Sequence, residues 1–237
     1  MSVLVRAPQA AAPVRLPRTR GLIFDVAGVL HDATLWWRWL LRLLTRLGVR
    51  SDPADLRALW ETAYLPDVER GRREHGEALE AFLANVGLTR GQVDEAAFAA
   101  ETRRRELLAT LRPLPGVVGT IQQLHASRFP LAVLTNSEAP ALGLEARLSR
   151  LDLAGRFVGI VSSFDLERTL PDAECYEHTL RTLGLAANET AYVGCSRVCL
   201  AGAAAAGLST IAVNHDRDAL ADVRLRHFHE LLAVVAA

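Results

Sequence analysis

The feature that most restricts the fold is an alternation that begins after Leu114-Pro115-Gly116. Short apolar runs at residues 130–134, 157–161, 190–193 and 209–213 alternate with segments of helical periodicity at 117–126, up to about 151, 171–183 and 200–206. Strands separated by helix-length connections cannot close as hairpins. They need crossovers, which are right-handed and lay the strands parallel with helices on the faces. A further run of the same kind, residues 21–26, stands upstream and delivers Asp25 at its carboxyl end, just before Gly28. A last helix is predicted over residues 222–235.

Between the upstream strand and the alternating region the period changes. Leu35, Trp36, Trp39, Leu40, Leu43, Leu44 and Leu47 fall on one broad helical face. Ser51-Asp52-Pro53 reads as a helix start, and Thr89 with Gln92 as a capping box before a long charged helix. No strand signal interrupts residues 34–111, so an all-helical insert is expected there. The predicted organisation is a loose leader at 1–20, a Rossmann-like α/β core at 21–32 and 114–237, and a helical cap at 33–113.

Ligands of such a sheet sit beyond the carboxyl ends of its strands, where Asp25, Thr135 and Cys195 all fall. The balance of charge limits what can bind. Of 237 residues 23% are charged, and 27 basic residues offset 27 acidic ones. A neutral chain argues against a nucleic-acid partner, which usually leaves a basic excess. No run reaches the about 18 uninterrupted apolar residues of a membrane span, so no membrane partner is expected. Three cysteines, Cys175, Cys195 and Cys199, without a disulfide pattern suit a reducing, cytoplasmic setting. A homodimer is left open. There is no lysine anywhere: every basic residue is arginine, so neither a Schiff base nor a lysine ammonium clamp is available.

The segments Phe24-Asp25-Val26-Ala27-Gly28-Val29-Leu30-His31-Asp32, Leu114-Pro115-Gly116, Val133-Leu134-Thr135-Asn136-Ser137, Pro171-Asp172-Ala173-Glu174-Cys175-Tyr176 and Val193-Gly194-Cys195-Ser196 appear in one order. In that order, with an Ala-rich helix at 201–207 behind them, the chain resembles the haloacid dehalogenase superfamily of capped hydrolases. The resemblance implies that Asp25 is the nucleophile and that Thr135, with Asn136 beside it, binds the transferring group. It also marks losses. The general acid two residues after the nucleophile is Ala27, and the lysine before the third-motif proline is Leu170. Both fourth-motif acids are thiols, Cys195 and Cys199. In the family, magnesium takes the nucleophile's carboxylate, the carbonyl at position 27 and a fourth-motif carboxylate. A soft thiol in place of that last ligand predicts weak or no magnesium binding, and no other metal or cofactor is expected.

Several residues admit two readings. Arg168 can lend the site a cation or be a solvated loop arginine. Trp36 and Trp39 can line an apolar ligand pocket or form the cap's own core. Cys195 can be a reactive thiol at a strand-to-helix turn, or a small buried hydrophobe; with Cys199, His31 and Asp25 a soft-metal site is a remoter option. His227 and His229, two apart on a helix, should not face each other. Arg103-Arg104-Arg105 reads as a solvated face. Without magnesium or lysine, burial should push the Asp25 pKa upward. The leading expectation is a binding, regulatory or pathway-accessory protein with a degenerate site and a small-molecule ligand beneath the cap. The alternative is a divergent, metal-independent hydrolase that uses Asp25 on a small apolar or aromatic substrate.

Overall fold

The computed structural model describes residues 15–235. The leader expected at 1–20 therefore lies mostly outside the described residues. Its described end is docked rather than loose. The Leu16 N–H donates to the Val234 carbonyl at 2.9 Å and its side chain packs on the core, while the Arg20 N–H donates to the Glu189 carbonyl at 2.7 Å.

Six parallel strands form one sheet in the order β3-β2-β1-β4-β5-β6. They are β1 (Gly21–Phe24), β2 (Leu131–Thr135), β3 (Gly159–Ser162), β4 (Thr190–Gly194), β5 (Ser209–Ala212) and β6 (Val223–Arg224). Register places Phe24 beside Val133 and Val193, so Asp25, Thr135 and Gly194 emerge at one edge. The central strands are apolar on both faces, as a sheet covered on both sides requires. Leu22, Phe24, Val133, Val193 and Ile211 pack against α6 (Val117–Ala126), α7 (Ala141–Arg150) and α11 (Leu231–Val235). Ile23, Leu134, Tyr192 and Ala212 pack against α9 (Ala173–Leu183) and α10 (Arg197–Ala205). A short helix, α8 (Ser163–Leu166), follows β3.

The insert is helical throughout its elements: α1 (Thr34–Arg46), α2 (Pro53–Ala63), α3 (Leu65–Glu69), α4 (His75–Asn85) and α5 (Arg90–Ala109). Its two ends are brought together by a bridge between His31 and Pro113. The starts expected from sequence form as read. Asp52 accepts from the Ala54 N–H ahead of Pro53, and Thr89 and Gln92 cap α5 reciprocally. The cap carries a core of its own, built on Leu40, Leu44, Trp60, Leu79, Phe82 and Leu83. It is therefore a packed unit rather than a loop laid over the sheet.

One element departs from expectation. Residues 222–235 are not a single helix: β6 comes first, then a 3₁₀ turn at Phe228–Glu230, then the short α11. The Asp222 carboxylate accepts from the Thr210 N–H at 2.7 Å and its hydroxyl at 3.0 Å, fixing the segment beside β5. Val223 and Leu225 are buried while Arg224 and Arg226 are exposed, a period of two that a strand satisfies and a helix does not. His227 is extended, so His227 and His229 do face each other. Their rings stack at 5.5 Å and 5° on the surface.

Candidate active site

Asp25 stands one residue beyond β1 and is 8% exposed. Its Oδ1 accepts from the Val26 N–H at 2.7 Å and from the Thr135 hydroxyl at 2.6 Å. Oδ2 makes no hydrogen bond to any described residue. The site therefore fixes one oxygen of the carboxylate. Burial pushes the Asp25 pKa up to about 6, partly offset by Thr135, by Val26 and by the nearby Tyr192 hydroxyl. The direction is the one expected from sequence, but at neutral pH the group is still mostly a carboxylate. Tyr192 is fully buried on β4, and its hydroxyl finds no partner of ordinary hydrogen-bond length among the described residues. Asn136 turns its Oδ1 to the Leu170 N–H at 2.8 Å, tying the end of β2 to the loop before α9. Leu170 itself is 6% exposed within the apolar cluster of Cys175, Tyr176 and Tyr192. An apolar group thus occupies the place where the family resemblance implies a cation.

Arg168 does not supply that cation. Its guanidinium pairs with Asp172 at 3.2 Å and Glu174 at 2.7 Å, the acids at the start of α9, and is half exposed. Cys195 sits where β4 passes into α10, with its thiol 3.4 Å from the Ala27 carbonyl. It is not an activated thiol. Burial, and then the charge on Asp25, push it up to about 12, and the same two causes take Cys199 to about 12. Trp36 and Trp39 pack against the cap's core. The ring neighbours of Trp36 are Trp37, Trp60 and His75, all in the cap, at 6.3, 6.0 and 5.4 Å. Among the described residues neither tryptophan has an aromatic contact outside the cap.

A model of the haloacid dehalogenase-like hydrolases matches residues 19–207. The chain belongs to that family. A phosphoglycolate phosphatase of Yersinia pseudotuberculosis is 27% identical over 230 residues, covering 94% of this chain and 95% of its own. Two solved structures share the fold. One is a dehalogenase with an intermediate complex, at 22% identity and TM-score 0.67 over 93% of this chain and 99% of its own. The other is the magnesium-bound HAD-hydrolase YfnB of Bacillus subtilis, at 22% identity and TM-score 0.68 over 93% of this chain and 100% of its own.

The donor set tests whether magnesium suits this haloacid dehalogenase-like hydrolase. Mg²⁺ asks for hard oxygen ligands in a near-octahedral array. Available here are the Asp25 carboxyl, the Ala27 carbonyl facing the Cys195 thiol, and two thiols held protonated. Among the described residues no three His, Cys, Asp or Glu side chains gather as a metal cluster. These donors do not fit the ion.

The structure also adds residues that sequence reading passed over. Glu69, at the end of α3, is half-buried, and its backbone carbonyl accepts from the Ser163 hydroxyl at 2.7 Å. Burial, then the charge on Asp25, push its pKa up to about 8. In sequence it stands in an ordinary charged run, Asp67-Val68-Glu69-Arg70-Gly71-Arg72-Arg73, and nothing there distinguishes it. Glu138, three residues after Thr135, meets Arg104 of the cap at 2.7 Å, Arg147 of α7 at 3.1 Å and His75 at 3.7 Å. Only the fold brings these four together.

Proposed function

We propose that this protein is a metal-independent hydrolase of its family that acts through Asp25 on a small uncharged substrate beneath the cap. The observation that carries the reading is the hold on Asp25: Oδ1 is fixed by Val26 and Thr135, and Oδ2 is unpartnered at the carboxyl edge of the sheet. A nucleophile held in this way has its entropy of approach reduced in advance. The preference for an uncharged substrate follows from the charges. No arginine among the described residues pairs with Asp25, the chain has no lysine, and Leu170 is apolar. Each pair of like unit charges 4 Å apart would cost about 4 kcal/mol at an effective dielectric near 20, which disfavours a phosphate dianion.

The loss of Ala27, Leu170 and Cys195 as functional positions favours a second reading, a binding, regulatory or pathway-accessory protein that holds a neutral ligand on Asp25. Profiling a panel of uncharged esters and alkyl substrates in excess chelator, for wild type beside Asp25→Asn, separates the two. Turnover that survives the chelator and disappears in Asp25→Asn supports the hydrolase. Turnover that appears only with added Mg²⁺ overturns it. Ligand binding retained in Asp25→Asn, with no turnover by wild type, supports the second reading instead.

A further inference from the structure

Glu69 is a carboxyl group of the cap that no hydrogen bond or ion pair among the described residues explains. Its backbone is anchored to the catalytic edge. The Ser163 hydroxyl donates to the Glu69 carbonyl at 2.7 Å, and Ser163 Oγ in turn accepts from the N–H of Ser137, two residues past Thr135, at 2.9 Å. Next to it, Arg70 donates to the Thr169 hydroxyl at 3.0 Å, directly before Leu170. The end of α3 is thereby fixed to both loops that frame Asp25. The charged groups around the Glu69 carboxyl are Asp25 beyond β1, Glu138 after β2, Glu61 of α2 and its neighbour Arg70. Asp25 exerts the largest charge effect on it, and Cys199 of α10 feels Glu69 in turn.

Ala27 leaves the family position for a general acid without one. We infer that Glu69 takes over that role from the cap, protonating the departing oxygen of an uncharged substrate whose electrophilic carbon is attacked by Asp25. The inference rests on Asp25 acting as the nucleophile. Asp25 Oδ2 forms a bond to carbon as the carbon–oxygen bond of the substrate breaks, and the oxygen takes the Glu69 proton and leaves as a hydroxyl. Water then attacks the ester carbonyl of Asp25 and gives its proton to the Glu69 carboxylate. Collapse releases the alcohol product and restores Asp25 as a carboxylate and Glu69 as an acid. Burial keeps Glu69 protonated at neutral pH while Asp25 is ionised, and a pair of carboxyls held apart in this way can divide the acid and nucleophile roles.

An epoxide tests the arrangement without knowledge of the natural substrate, because ring opening by a carboxylate is assisted by an acid at the epoxide oxygen. The probe is para-nitrophenyl glycidyl ether. Because the ester is itself hydrolysed, labelling of Asp25 is read as the initial rate of ester formation after rapid acid quench, or as 18O taken into Asp25 from labelled water, by peptide mass spectrometry across pH. Wild type should label Asp25, with a rate that falls as Glu69 loses its proton around pH 8. Glu69→Gln should label about a hundredfold more slowly and lose the alkaline fall, the range expected of a general acid. Glu69→Asp keeps the acid and should restore the fall. Equal rates and pH profiles in wild type and Glu69→Gln overturn the role of Glu69 and leave Asp25 as nucleophile. Wild type that never labels Asp25 overturns the nucleophile reading, and this one with it.

Discussion

Two corners of the same cap–core interface hold buried carboxyl groups under opposite electrostatics. At one, Glu138 lies among His75, Arg104 and Arg147, and although burial opposes ionisation, these three hold it below its ordinary value. Burial keeps His75 itself below its usual pKa, so at neutral pH the two arginines carry the positive charge. At the other, Asp25 and Glu69 form no ion pair among the described residues, and burial raises both. The chain has arginines enough, but at this interface it commits them to joining cap and core rather than to the reacting edge. At the Glu138 corner the paired charges serve as a structural clamp between cap and core.

The comparison breaks most visibly if the starved corner is supplied with what it lacks. Ala27→Asp, Leu170→Lys and Cys195→Asp together should produce Mg²⁺-stimulated hydrolysis of an aryl phosphate, measured by phenol release. Ala27→Asp alone should remain inactive, because the missing cation and metal still dominate the barrier. Equal activity in the single and triple variants would show that charge starvation is not what separates the corners.

A second effect is thermodynamic. Asp25 has a folded pKa above its unfolded value, so its contribution to stability is fully present below about 3.8 and lost as pH rises through about 6. Asp25→Asn should therefore be more stable than wild type by up to roughly 3 kcal/mol above that window and indistinguishable near pH 4. Urea unfolding at several pH values reads the difference, and a gap that stayed constant with pH would refute the assignment. The adduct with the glycidyl ether should be absent from the same variant.

Glu138→Gln should have the opposite sign. It leaves two partly buried arginines facing a neutral amide, and a loss of about 2 kcal/mol is expected at neutral pH, below the range for a fully buried pair because the site is one-fifth exposed. A change within error would mean that the clamp is solvated in the way of surface pairs. The smallest effect belongs to Arg168→Ala. Its pairs are half exposed, so stability should change by about 0.5 kcal/mol or less and Asp25 labelling should be unaltered. A large loss of labelling would return Arg168 to the site.

Strand and helix placement was legible because it depends on local periodicity. The parallel sheet, the helical insert and the caps at Asp52 and Thr89 formed as read. The exception, 222–235, had a period of two at Val223-Arg224-Leu225-Arg226 that the neighbouring helical residues obscured, and its pairing with β5 depends on Asp222 reaching Thr210. Of the candidate site, the meeting of Asp25 and Thr135 was readable because strand ends carry them to one edge, where they lie 2.6 Å apart. Arg168 and the tryptophans were placed near the site by proximity in sequence, which says nothing about the direction of a side chain.

What the amino-acid sequence determined by itself is the list of available chemistry: a carboxylate at the end of the first strand, no lysine, no acid at position 27 and thiols at 195 and 199. Composition is conserved whatever the fold, so those limits hold in any arrangement. Which carboxyl becomes an acid, and which is held ionised, was decided only by tertiary structure. Glu69 and Glu138 are the same residue type with the same intrinsic affinity for a proton. One ends a cap helix, feels the charge on Asp25 and forms no ion pair among the described residues, and the other lies between Arg104 and Arg147. Desolvation and neighbouring charge act over a few ångströms of space, not along the chain, and they move the two pKa values in opposite directions.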